Sequence, residues 1–253
     1  MKKAGRTSQD RKTTARGRPR AFDREAALET ATRLFWLKGY AATSIADLTE
    51  AMGIGSPSLY AAFGSKEALY AEALRYYGDT YEPLFWGNFQ STATARDAIM
   101  SLLLDSAAAL TGCRADVPKG CMVALSSVGS EGYEQLGELV RSARAVGLAR
   151  LKARLEEAVA DGEVPASVDI RALARFVQTV QSGMSILARD GVGRAELEAV
   201  AQMAMMGWDA RTSGQWKTST TSTPMPRAPS ERRRRRHGPK KAARTTADPK
   251  EPR

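Results

Sequence analysis

Histidine is almost missing from this sequence. The 253 residues include one, His237, inside a basic stretch near the end. The apolar part of the chain therefore has no imidazole for a Ser-His-Asp triad, a Cys-His pair or a histidine-based zinc site. Cysteine is nearly as scarce: Cys113 and Cys121 form no CxxC motif, and two thiols alone cannot complete a metal tetrahedron. No metal and no cofactor is expected. No apolar run approaches the roughly 18 residues of a membrane span. The opening MKKAGRTSQDRKTTARGRPR is charged but lacks the apolar stretch of a signal peptide. A cytoplasmic protein without membrane contact is the expectation. Catalytic signatures and phosphate loops are also lacking, and Glu156 and Glu157 are adjacent on a helix and point to different sides, so an enzyme is not expected.

What is present is charge, unevenly placed. The net +10 divides into +7 on residues 1–20, −7 on 21–210 and +10 on 211–253. An acidic middle between basic ends points to a polyanionic partner met from the ends, with solubility as the plainer alternative. Residues 1–20 have few apolar side chains. Beyond 210 lie six of the eleven prolines, among Ser, Thr, Arg and Lys. Neither segment can bury enough surface to offset its chain entropy, so both read as disordered, a basic arm and a basic tail.

The middle reads as all-α. Asp23 is a plausible N-cap for a helix over 24–38 closed by Gly39. Ser44 with Asp47 resembles a capping box opening a short helix to Met52, and Gly53 supplies a turn. Ser56 offers the next N-cap with Pro57 at the first helical position, and that helix stops at Phe63-Gly64. Ser65 caps a helix over 66–77. Apolar residues at helical spacing mark 94–111, 132–160, 170–189 and 194–209, with a loop at 112–120.

Three short helices in 24–63 with a glycine turn suggest a helix-turn-helix, whose third helix enters the DNA major groove. The wording is more specific than the geometry. Gly39-Tyr40-Ala41-Ala42-Thr43-Ser44-Ile45, then Ile54-Gly55-Ser56-Pro57-Ser58-Leu59-Tyr60-Ala61-Ala62-Phe63-Gly64-Ser65-Lys66-Glu67-Ala68-Leu69, closely resembles the TetR/AcrR family of bacterial transcriptional regulators. The resemblance implies an N-terminal three-helix DNA-binding domain over 21–75 and a C-terminal helical domain over 76–210 for ligand binding and dimerisation. It implies phosphate contacts from Thr43, Ser44, Tyr60 and Lys66, in keeping with hydroxyls and a lysine as phosphate donors. For Tyr60, simple packing is the competing reading. The recognition helix departs from the family pattern, offering Gly55, Ser56, Pro57 and Ser58 with no Arg, Lys, Asn or Gln for bidentate base contacts. Reading then leans on contacts from small residues and proline to thymine methyls, on DNA shape, and on Arg16, Arg18 and Arg20 reaching a minor groove. A mobile, solvated arm is the alternative for these arginines.

The resemblance further implies a homodimer through the helices in 170–209, whose apolar stripes fit an ordinary core equally well. It implies a small-molecule effector, unidentified, among the helices at 94–111, 119–128, 132–160 and 170–189. Met100, Leu103, Met122, Phe176 and Met184 are candidates to line its site, with plain core as the competing reading. Cys113 and Cys121, near Arg114 and Lys119, invite a redox-sensing reading against one of inert thiols. The run Arg232–Arg236 should add non-specific, salt-dependent affinity for nucleic acid. The expectation is a ligand-responsive repressor that binds double-stranded DNA at a palindromic operator. The alternative is a non-specific or architectural DNA-binding protein driven by its tails.

Overall fold

Short polar side chains open five of the ten described helices of this protein. In the computed structural model, which describes residues 23–112 and 117–213, every regular element is helical. Asp23 accepts from the amides of Glu25 and Ala26 and opens α1, Arg24–Lys38. Ser44 and Asp47 form the full capping box of α2, Ile45–Met52. Ser65 opens α4, Lys66–Tyr81. Thr94 opens α6, Ala95–Leu110, and Asp169 opens α9, Ile170–Arg189. Each such cap supplies an acceptor for amides that the helix leaves unpaired, at about 1 kcal/mol apiece.

α3, Ser56–Phe63, starts one residue earlier than its sequence suggests: Gly55 is the N-cap and no side chain caps it. Pro57 keeps its place in the first turn, where its missing N–H costs nothing. α8 spans Glu134–Ala160, and α10 runs Arg194–Thr212, so Arg211 and Thr212 complete a helix turn rather than join the tail. The four-residue α5, Pro83–Trp86, carries no apolar period to betray it, whereas α7, Met122–Leu125, is a shorter helix inside the one expected at 119–128. The arm with Arg16, Arg18 and Arg20, the thiol Cys113 and the Arg-rich tail lie outside the described residues. Among the described residues, no helix is long and apolar enough to cross a membrane.

Two apolar cores divide the fold. One is built on α1–α4 around Phe35, Trp36, Leu48, Leu59, Phe63 and Tyr70, all buried, and is closed by Val117, Met122, Val128, Leu136 and Val140 from outside the first four helices. The other joins α5, α6, α8, α9 and α10 around Phe89, Leu102, Leu155, Val177 and Trp208. Leu84 and Cys121 pack against both. Gly120 sits where these cores meet, at φ 78°; a Cβ there would stand 2.6 Å from Leu125 Cδ1 and 2.9 Å from the Ser185 carbonyl. Only glycine fits both that backbone and that space.

Candidate nucleic-acid interface

The α2–turn–α3 unit is held from its inner side. Gly53 turns the chain in the left-handed region at φ 65°, which sends α3 across α2. Leu48 and Leu59 are fully buried at the crossing. Arg24 fixes the far end of α3: its guanidinium lies 4.5 Å over the Phe63 ring, donates to the Ala62 carbonyl at 3.3 Å, and pairs with Glu72 of α4 at 2.7 Å. With its inner face fixed, α3 presents Ser56, Pro57, Ser58, Tyr60 and Ala61 outward, behind an exposed Gly55. The amides of its first turn meet no capping side chain, so the partial positive end of the helix faces solvent.

Of the residues expected at phosphates, the structure brings Ser44, Tyr60 and Lys66 to accessible positions around this face. Tyr60 is 48% exposed, unlike its neighbours Leu59 and Phe63, and is not a packing residue. Lys66, half-buried at the start of α4, lies 4.2 Å over the Tyr40 ring, and desolvation there lowers its pKa. It makes no ion pair among the described residues, although Glu67 and Asp47 act on it through space. Tyr40 is braced in turn by a hydrogen bond to Glu67 at 2.8 Å. Ser44 is exposed, but its hydroxyl donates to Asp47 at 2.6 Å. Lys38, at 2.7 Å, and Ser44 hold the Asp47 carboxyl far below its ordinary pKa.

Thr43 is a correction. It is fully buried; its hydroxyl donates to the Gly39 carbonyl at 2.7 Å and its amide to Tyr40 at 3.3 Å. Phosphate oxygens only accept, and Thr43 has no accessible donor left for one. It instead pins the loop that sets the start of α2.

A second feature lies behind this unit. A cavity of about 370 Å³ opens among α4, α5, α7, α8 and α9, with Phe85, Trp86, Arg144, Gly147, Arg175 and Gln178 in its wall. None of Met100, Leu103, Met122, Phe176 and Met184 lines it. Leu103, Met122 and Met184 are buried core, Met100 packs against that core, and Phe176 faces outward, 40% exposed. Apolar period marks the faces that close on each other, whereas a cavity forms where those faces part and polar residues intrude. The arginines and glutamines of α8 and α9 fall outside the apolar period, so the sequence carried no signal for it.

The wall of this cavity is tied to the first core. Trp36 Nε1 donates to the Gly120 carbonyl at 3.1 Å, and Arg189 of α9 donates to the carbonyls of Trp36 and Leu37 at 2.9 and 3.1 Å. Tyr70 and Ser126 share a hydrogen bond of 2.9 Å, and Tyr77 donates to Cys121 Sγ at 3.2 Å. Burial pushes the Cys121 thiol above its ordinary pKa, so it is protonated at neutral pH.

An all-helical chain with an outward-facing helix-turn-helix joined to a cavity-bearing helical bundle defines a class of DNA-binding regulators. Residues 27–73 match the family model described as bacterial regulatory proteins, tetR family. The chain is 36% identical over 198 residues to the HTH-type transcriptional repressor ComR of Escherichia coli K12, covering 77% of this chain and 92% of ComR. It is 32% identical over 197 residues to the repressor BdcR of the same strain, covering 74% and 90%. Among solved structures, a cysteine mutant of the TetR family regulator CifR, complexed with 26-base-pair double-strand operator DNA, superposes with a TM-score of 0.71 at 38% identity, over 76% of this chain and all of that one. The protein belongs to the TetR family of bacterial transcriptional regulators.

Proposed function

We propose that this protein is a transcriptional repressor that binds a palindromic operator as a homodimer and releases it when a small molecule fills the cavity. In this division of labour, residues 21–75 bind DNA and 76–210 sense and dimerise. The carrying observation is the outward face of α3 with its exposed Ser56, Pro57, Ser58 and Tyr60, flanked by a lysine that makes no ion pair among the described residues. Phosphate donors around a small-residue helix face supply register, and the face itself meets base edges. The operator complex of CifR and the repressors ComR and BdcR support this reading.

The dimer rests on α9 and α10. Phe176, Gly183 and Leu187 share one face of α9, and Met203, Met206 and Ala210 one face of α10, all solvent-facing or half-exposed. The Phe176 ring lies close against Gly207, which makes the two faces continuous. An apolar stripe over two helices is what a second copy of the chain covers, and its two-fold symmetry matches a palindrome. Selection of bound sequences from a random duplex library by the full-length protein tests the function. A palindromic motif is expected. Recovery without sequence preference would overturn the reading in favour of non-specific binding by the Arg232–Arg236 segment.

A further inference from the structure

The cavity wall carries an unusual balance of charge. Arg144, half-buried on α8, donates through Nε and Nη2 to the carbonyls of Val123, Ala124 and Ser126 at 2.6–3.2 Å. All are neutral acceptors, and among the described residues no carboxylate meets this guanidinium. Arg175 of α9 donates to Gln178 at 2.6 Å, again a neutral acceptor, and Gln178 donates to the Arg144 carbonyl at 2.9 Å. The acid in the wall, Glu82, is already neutralised by Arg150 at 2.8 Å. One side of the cavity is therefore cationic without compensation. Another is aromatic and flat: Phe85 and Trp86 line it, and Gly147 lets the edge of the Trp86 ring approach α8, where a Cβ would stand 3.3 Å from that ring.

We propose that the cavity binds a small organic carboxylate with a flat apolar body, its carboxylate drawn to Arg144 and Arg175 and its body lying against Trp86. This deepens, and rests on, the reading of the cavity as the effector site. About 370 Å³ suits a one- or two-ring acid and falls at the lower end of the roughly 300–1,000 Å³ that small-molecule sites occupy.

The same arginine explains how such a ligand acts. The carbonyls that Arg144 holds belong to α7 and the residue after it, and they are the fastening of that segment to α8. Charge-assisted bonds to a carboxylate are about twice as strong as bonds between neutral groups, and a carboxylate presents two acceptors to the fork of an arginine. A bound anion thus competes for the donors that fasten α7. The segment around α7 also holds the DNA-binding unit, through Gly120 to Trp36 of α1 and through Ser126 to Tyr70 of α4. Loosening it shifts the population away from the conformer that fits the operator, in the direction of release.

The test uses full-length protein on its selected operator, followed by fluorescence anisotropy, with a matched panel: phenylacetate and naphthylacetate, the corresponding amides, and phenethylamine. The expected result is release by the carboxylates at concentrations at least about tenfold below those the amides require, with the amine inactive. Calorimetry on the same protein without DNA should give the same order of affinities. Arg175→Gln should raise the half-release concentration of naphthylacetate about tenfold relative to that variant's own operator affinity. Equal potency of acids and amides, or release by the amine, overturns the anion assignment while leaving the cavity as an effector site. Carboxylates that bind by calorimetry yet leave the operator complex intact overturn the Arg144 release mechanism. The absence of both release and calorimetric binding for every carboxylate of the panel overturns the anion assignment, and the effector reading then passes to ligands of other chemistry.

Discussion

Introducing two charges on the outer face of α10 should split the proposed dimer without unfolding the chain. Met203 and Met206 are 66% and 64% exposed in the single chain, one turn apart. Fully burying a methionine side chain contributes about 1.5–3 kcal/mol, so the two-thirds of each still open to solvent is worth about 1–2 kcal/mol. A two-fold interface counts each residue twice, and four side chains give about 4–8 kcal/mol of association free energy. Met203→Glu with Met206→Glu removes that contribution and adds the cost of desolvating carboxylates. The dimer dissociation constant should rise by a factor of about 10³ or more, at roughly 1.4 kcal/mol per tenfold. The isolated fold has little to lose, because glutamate is as good a helix former as methionine and surface substitutions usually stay within about 0.5 kcal/mol. Sedimentation velocity across a concentration series reads the association, and a circular dichroism melt checks the fold. A double variant that dimerises as tightly as the parent would refute the assignment of this face.

Four further outcomes follow from the geometry. Trp36→Phe removes the donor to Gly120 and leaves that buried carbonyl unpaired, which should cost about 1–3 kcal/mol of stability by denaturant melt; an unchanged midpoint would argue that water replaces the indole. Lys66→Gln should weaken operator binding across all sequences and lower the salt slope by about one per DNA-binding unit; a change confined to some base positions would contradict a phosphate role. Tyr40, Tyr70, Tyr76 and Tyr77 all have pKa values raised, first by burial. Such groups stabilise the fold below their unfolded pKa of about 10 and lose that contribution as pH climbs toward the folded values. Stability should fall above about pH 10, with late phenolate absorbance; normal titration of all tyrosines in the folded chain would contradict it. Cys121, half-buried with a raised pKa, should react slowly with iodoacetamide in the native protein and faster on unfolding; rapid native alkylation would support a sensing role.

The first four helices were legible because their signals are local. A capping box, a glycine at positive φ and a proline in a first turn act over three or four residues, and a sequence displays them directly. Even the one-residue shift at Gly55 follows from a cap that uses backbone geometry without a side chain. Thr43 shows the limit. A hydroxyl between an alanine and a serine looks identical whether it faces phosphate or the Gly39 carbonyl, and only the loop's path decides. The cavity was illegible for a different reason. Its wall is assembled from side chains far apart in the chain, joined by bonds such as Gln178 to the Arg144 carbonyl, 34 residues away. No periodicity records a seam where helices diverge.

The aromatic cluster inside the first core ties the DNA-binding helices to the segments that border the cavity. Trp36 meets Tyr77 and Tyr81 edge-on at 4.8 and 5.2 Å, while Tyr40 meets Tyr70 and, from the start of α8, Tyr133 at 5.1 and 4.7 Å. Such pairs contribute about 0.5–1.5 kcal/mol each beyond burial, and they have definite geometries. α1 is held at its C-terminal end by Arg189 of α9 and Gly120, and α4 by Ser126 and Cys121. A change at the cavity therefore reaches α1 and α4 together. Since α3 is clamped between these two helices by Arg24 and Glu72, it has no independent adjustment to make. In the proposed dimer the recognition face would move as a block with the helices behind it, and the spacing of two such faces is the quantity a ligand in the cavity would change.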